Sequence, residues 1–185
     1  MEPLTRAELD AGLDHLLASP VDDGVVELVV ARPAVGERVV LDEAKLDPGI
    51  GLVGDSWGDR YNRHTPDGKP DPKAEVTLMN ARAAALVAQT EARWPLAGDQ
   101  LYVDLELGGD NLPAGTQLAV GTAVVEITDE PHTGCAKFAE RFGMDAVRFV
   151  NSPVGRAHNL RGINARVIAG GVVRPGDAIR KLVGS

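Results

Sequence analysis

The chain is poor in the residues that do most covalent and metal chemistry: one cysteine, Cys135, and four histidines, His15, His64, His132 and His158, among 185 residues. A single cysteine excludes an internal disulfide framework, and these residues do not have the spacing of a structural zinc site. Basic residues are also scarce. Nineteen Lys and Arg face 27 Asp and Glu, a formal net charge of -8, so the chain lacks the concentrated cationic footprint that a phosphate backbone needs, and no nucleic-acid partner is expected. No apolar run reaches the roughly 20 residues that cross a bilayer. The opening stretch MEPLTRAELDAGLDHLL has acidic residues where a secretory signal has basic ones, which predicts a cytoplasmic protein with no membrane segment. Aromatic residues are only 4% of the chain, and a core needs them, so Trp57, Phe138, Phe142 and Phe149 are read as core and not as a stacking box.

What is present suits one globular core, with 44% hydrophobic residues in a length typical of one domain. Thr5 and Glu8 form a capping box ahead of Leu9, Leu13, Leu16 and Leu17, which fall on one helical face until Pro20 and the Asp22-Asp23-Gly24 turn. Residues 1–24 are therefore read as a helical extension and 25–185 as the main domain. That domain is dominated by short β-rich runs punctuated by Gly and Pro: VVELVVARP, ERVVLDEAKL, GLVGD, LYVDLEL, TQLAVGTAVVEIT, NARVIAGGVV and DAIRKLV. Many short strands at close spacing predict a mainly β fold, a barrel or sandwich, with a few short α-helices. Asn80 is a candidate cap for a helix over ARAAALVAQTEAR that Pro95 stops. Two more short helices are expected over CAKFAERFG and MDAVRFVNSP, with Asp145 as a candidate N-cap and Pro153 as a stop. The polar stretch GDRYNRHTPDGKPDPKAE, residues 58 to 75, is long for a loop without structure of its own.

The segment EPHTGCAKF concentrates the chemistry. With a helix starting near Thr133, Cys135 lies in its first turn, where unpaired N–H groups and the helix dipole favour a thiolate. Lys137 and Arg141 add positive charge, and His132 is a candidate general base. The competing reading is a small buried residue, the usual fate of a lone cysteine.

The segments TAVVEITDEPHTGCAKFAERFGMDAVRFVNS and LRGINARVIAGGVVRPGDAI resemble the MOSC domain, the module at the C-terminus of molybdenum cofactor sulfurases and in many small stand-alone bacterial proteins. ARPAVGERVVLDEAKLDPGIGLVGDSW fits the family's N-terminal strands and its Gly-Asp element, here Gly54-Asp55. The C-terminal G-x-V-x-x-G-D-x-I pattern spans Gly171 to Ile179. The resemblance implies a β-barrel and a sulfur-handling role in which Cys135 carries a persulfide. It also implies an association with molybdenum cofactor, and the family is linked to molybdenum-ion and pyridoxal-phosphate binding. Pyridoxal phosphate belongs to a separate desulfurase domain, for which this chain has no room.

The expected partners are then a cysteine desulfurase or another sulfur donor, and a molybdoenzyme or pterin-type acceptor. An anionic cofactor needs N–H donors and cations. Arg161, Asn164 and Arg166 in NLRGINAR are candidate anchors, with Asp55 and Thr133 as further cofactor-binding candidates. The alternative for the arginines is pairing with surface acids, and for Asp55 ordinary turn chemistry. Three functions follow as expectations: a sulfur carrier using Cys135, His132 and Lys137; a cofactor-binding module with Cys135 as a molybdenum ligand; and a Cys/His hydrolase using Cys135 with His132 or His158.

Overall fold

The computed structural model describes residues 1–59 and 65–182; His64 and its neighbours in the polar stretch 58 to 75 lie outside the described residues. Eleven strands and six helices occur among them. The strands are β1 (Gly24–Ala31), β2 (Val39–Val40), β3 (Ala44–Asp47), β4 (Gly51–Leu52), β5 (Val76–Asn80), β6 (Leu101–Asp104), β7 (Gln117–Val120), β8 (Ala123–Ile127), β9 (Ile163–Ala169), β10 (Gly171–Val173) and β11 (Ala178–Lys181). The helices are α1 (Arg6–Ala11), α2 (Leu13–Leu17), α3 (Ala81–Ala88), α4 (Ala136–Phe142), α5 (Met144–Val150) and α6 (Pro153–Ala157).

Seven strands close into a barrel in the order β11-β7-β8-β9-β5-β6-β1, with β1 pairing back onto β11 through Gly24–Ile179 and Val25–Ala178. Closure removes the exposed strand edges that an open sheet would leave. The barrel expected from the sequence is thus the one observed. β2 extends from β1, and β10, β3 and β4 form a small separate sheet. Neighbouring strands run antiparallel except β5 and β6, which are parallel. A parallel pair requires a crossover, and α3 with the 3-10 segment Glu91–Ala97 supplies it. That crossover lays a short peptide across the outside of the barrel, where the site is built.

Strand alternation produces two cores. Leu101, Val103, Ile163, Ala165, Val167, Leu118, Val120, Val125 and Ile179 fill the barrel interior, while Met79 and Tyr102 face outward into a second cluster with Leu9, Leu16, Ala83, Val87, Phe138, Phe142 and Phe149. β1 serves both. A register shift between Val26 and Leu28 places Val26 and Val29 inside but Leu28 and Val30 outside, because one extra residue in a strand reverses the face of everything after it. The phenylalanines and Trp57 are buried, as their scarcity suggested.

Several local boundaries differ from the sequence expectation. The Thr5 capping box is present, but Gly12 divides the first helix in two and Leu17 is exposed. Asn80 caps α3 by accepting from the Ala83 N–H, yet the helix ends at Ala88 because Gln89 adopts a left-handed conformation (φ 65°). Pro95 lies inside the 3-10 segment that follows. Gly143, not Asp145, is the N-cap of α5; the Asp145 carboxylate instead accepts from the Arg6 N–H, tying α1 to α5. Pro153 does not stop a helix but opens α6, one position after the Ser152 cap, where its missing N–H costs nothing. β5, VTLMN, is an unanticipated central strand, buried at all five positions.

Candidate functional site

β8 runs out of the barrel into the loop that carries the cysteine, and that loop is pinned along its length. The Thr128 hydroxyl donates to the Lys73 carbonyl, Lys73 pairs with Asp129 at 2.7 Å, and the buried Asn164 amide donates to the Glu130 carbonyl at 3.0 Å. Asn151 grips Gly134 on both sides: its Oδ1 accepts from the Gly134 N–H at 2.9 Å and its Nδ2 donates to the Gly134 carbonyl at 3.1 Å. Gly134 is required there, since a Cβ would lie 2.9 Å from a Val150 methyl. Cys135 follows as the N-cap of α4, extended (φ -122°, ψ -179°), and its thiol is free and exposed. The buried-cysteine reading is therefore excluded. The helix starts at Ala136, so the sulfur stands just outside the first turn that the sequence suggested.

Beyond Cys135 lies a basic depression of about 760 Å³, open to solvent, lined by Ala34, Val35, Gly36, Arg38, Lys137, Glu140 and Arg141. Among the described residues no ion pair engages Arg38, Lys137 or Arg141. Burial, then the neighbouring Arg141 and Arg32 charges, push the Arg38 pKa down against the opposing pull of Asp55, as expected where cations outnumber nearby acids.

On the other side lies a smaller pocket of about 470 Å³, with Pro131, His132, Thr133, Val150, Asn151, Gly155, Arg156, Asn159 and Arg161 in its wall. Arg161 is 7% exposed; its Nη1 donates to the fully buried Asp99 carboxylate at 2.7 Å, and the guanidinium stacks over Phe138 at 5.0 Å. His132 Nδ1 is 3.4 Å from the other Asp99 oxygen, without hydrogen-bond geometry. Burial drives the His132 pKa down to about 4, against the opposing pull of Asp99, so the ring is neutral at physiological pH. Gly162 (φ 117°) is required beside this pair, because a Cβ there would lie 2.5 Å from the Leu78 carbonyl and would also crowd His132 Nδ1 (3.1 Å) and Asp99 Oδ1 (3.2 Å).

The two pockets share a strap. Four consecutive carbonyls of the crossover each accept from a different arginine: Pro95 from Arg38 Nε (3.1 Å), Leu96 from Arg141 Nη1 (2.6 Å), Ala97 from Arg161 Nη2 (2.9 Å) and Gly98 from Arg32 Nη1 (2.8 Å). Arg32 is held in turn by Asp55, through Nε at 2.8 Å and Nη2 at 3.0 Å. Asp55 also accepts from the backbone N–H groups of Arg32 and Trp57.

The structure gathers some of the sequence candidates and separates others. Cys135, His132, Thr133 and Lys137 share one segment, with Thr133 in the smaller pocket and Lys137 in the basic depression. Arg161, Asn164 and Arg166 do not converge. Arg161 is buried on Asp99, Asn164 holds the loop, and Arg166 pairs with Glu126 on the surface at 2.7 Å. Asp55 orients an arginine. His158 pairs with Glu106 at 2.9 Å, and among the described residues no hydrogen bond links Cys135 to His132 or His158. Sequence reasoning missed Arg32, Arg38, Asp99 and Arg156; their positions are set by the crossover and by long-range closure, which no local pattern announces.

A family model for the MOSC domain matches residues 72–180, more than half the chain. The chain belongs to the MOSC domain family. Solved structures agree at the level of the fold. The YuaD protein of Bacillus subtilis superposes with a TM-score of 0.63 at 16% identity, over 84% of this chain and 93% of that one. YiiM from Escherichia coli gives 0.56 at 18% identity over 87% and 71%, and YiiM from Geobacillus stearothermophilus 0.52 at 15% over 88% and 74%. None of the curated proteins matches the sequence.

MOSC domains are associated with molybdenum cofactor and with sulfurase-like function. In this MOSC domain, among the described residues, no group of three or more His, Cys, Asp and Glu side chains could hold a metal ion. No helix is long and apolar enough to cross a membrane.

Proposed function

We propose that this MOSC domain is a sulfur carrier in which Cys135 accepts sulfur as a persulfide and passes it to an acceptor linked to molybdenum cofactor. The observation that supports this reading is the free thiol of Cys135, exposed at the end of a pinned loop with Lys137 two residues on. Only a thiolate attacks sulfur efficiently, and access governs which thiols react. The Cys135 thiolate attacks the outer sulfur of a donor persulfide. The donor S–S bond breaks as a new one forms at Cys135, the transferred sulfur keeps its proton, and the donor leaves as a thiolate. A cysteine desulfurase is the natural donor, and a molybdoenzyme or pterin-type species the acceptor. His132 is half-buried, its pKa lowered to about 4 makes it a weak base, and among the described residues it has no hydrogen bond to Cys135, so the role of base passes to solvent.

The donor set fits an anionic cofactor. Arg38, Lys137 and Arg141 would hold its phosphate, and such a group would itself supply the metal and its dithiolene sulfurs. A second reading, a cofactor-binding module in which Cys135 is a metal ligand, is favoured by the lack, among the described residues, of any cluster able to hold a bare ion. A metal could then enter only with most of its ligands already attached.

Intact-mass analysis after incubation with a cysteine desulfurase and cysteine tests the carrier reading. Wild type should gain one sulfur mass and Cys135→Ser none. A wild type that alkylates readily yet never gains sulfur, while retaining molybdenum that Cys135→Ser loses, would transfer the assignment to the binding module.

A further inference from the structure

The smaller pocket is not used by the sulfur chemistry of Cys135, and its wall is short of hydrogen-bond partners. Just behind that wall three buried polar atoms have none: the Nε of the lining residue Arg161, the Nδ1 of the lining residue His132, and the Oδ1 of Asp99, which sits behind both. Buried polar atoms are almost always satisfied, and each exception calls for an explanation. The Arg161 side chain is 7% exposed and lines the pocket. At the mouth stands Arg156, exposed, its Nε donating to the Asn151 carbonyl at 3.0 Å; among the described residues no ion pair engages it. The charge balance is one-sided. Asp99 compensates Arg161, His132 is neutral, and Arg156 remains as an unmatched positive charge over a wall that also offers the Thr133 hydroxyl and Asn159.

We propose that this pocket is a binding site for a small oxyanion, a carboxylate or phosphate group, taken between Arg156 at the rim and Arg161 in the wall, beside Thr133. Guanidinium groups are the side chains best matched to such groups, presenting N–H donors in a fixed fork. Two guanidinium groups beside a hydroxyl suit a compact anion or the anionic end of a larger ligand. Its position has a consequence for the thiol. Pro131, His132 and Thr133 form both the pocket wall and the approach to Cys135, and Asn151 touches the pocket while gripping Gly134. A bound anion is thereby placed against the peptide that presents the sulfur. The site does not depend on the carrier reading, because Cys135 is not part of its wall.

Amide-resolved NMR titration with inorganic phosphate and with acetate tests the proposal. At least one probe should give saturable shifts centred on Thr133, Gly134, Asn151 and Gly155, and the tighter of the two identifies the oxyanion class. Arg156→Gln, an exposed substitution that leaves the fold intact by circular dichroism, should weaken binding about tenfold, roughly 1.4 kcal/mol. Cys135→Ser should bind as wild type does, so failure of sulfur loading and failure of this site are read separately. Shifts that stay linear to the highest concentration with both probes, or binding unchanged in Arg156→Gln, would overturn it.

Discussion

Two buried arginine–aspartate pairs support the same strap, and they are built to different standards. In the pair of Arg32 with Asp55 the carboxylate accepts, among the described residues, at least four hydrogen bonds, from Arg32 N, Nε and Nη2 and from Trp57 N. In the pair of Arg161 with Asp99 one carboxylate oxygen, the Arg161 Nε and the adjacent His132 Nδ1 have no partner. A buried ion pair offsets its desolvation only when the surrounding hydrogen bonds are complete. The first pair is therefore a brace, and the second leaves valences open just behind a pocket wall. Two pairs of the same composition in the same few residues thus separate structure from binding by satisfaction alone.

The comparison can be broken most directly at the carboxylates. Asp55→Ala strands Arg32 in the interior and should cost about 3–5 kcal/mol, whereas Asp99→Ala, removing a carboxylate with fewer bonds, should cost at least about 1 kcal/mol less. Denaturant midpoints measure both, and equal losses would erase the distinction.

Acid probes the histidine beside the second pair. His132 binds its proton near pH 4 when folded and at its ordinary value of 6.5 when unfolded, so between those values the unfolded chain takes up more protons. The stability present above pH 6.5 should then fall by about 3 kcal/mol as pH drops toward 4. His132→Gln should flatten that window relative to wild type, and a slope unchanged by the substitution would show that other groups carry it.

Smaller effects calibrate the scale. Thr5→Ala removes a capping box remote from both pairs and should cost about 1 kcal/mol, adding to the Asp55→Ala loss without interaction. Cys135→Ser, on an exposed side chain, should change unfolding stability by less than about 0.5 kcal/mol while abolishing sulfur loading. A large destabilisation would mean that the thiol packs, contrary to its exposure.

The barrel was readable in the sequence because its strands are short β-rich runs set off by Gly and Pro. β5 was not, since VTLMN passes directly into the Asn80 cap of α3 with no turn residue between them, and a strand buried on both faces lacks the alternation that identifies a half-exposed one. The early end of α3 was hidden for a related reason: the left-handed residue is Gln89 and not a glycine. At the site, Cys135 and its helix were legible as a local pattern. Closeness in sequence does not bring Arg161, Asn164 and Arg166 together: Arg161, ahead of β9, is held on Asp99, Asn164 meets a covering loop, and Arg166 pairs with Glu126 on the surface. Asp99 and Arg38 could not be read at all, as their neighbours arrive only when the crossover settles on the barrel.

The strap of Pro95 to Gly98 links the site to the cooperativity of the whole fold. Its four carbonyls are capped by arginines drawn from positions 32, 38, 141 and 161, so the peptide is fully bonded only after segments that precede and follow it by tens of residues have docked. Opening any one of those elements abandons a guanidinium and a carbonyl together, which raises the free energy of partial unfolding toward that of the global transition. Hydrogen exchange at the bonded amides on either side of the strap should accordingly proceed in one step with the barrel, leaving the thiol mounted on one of the slowest-opening parts of the molecule.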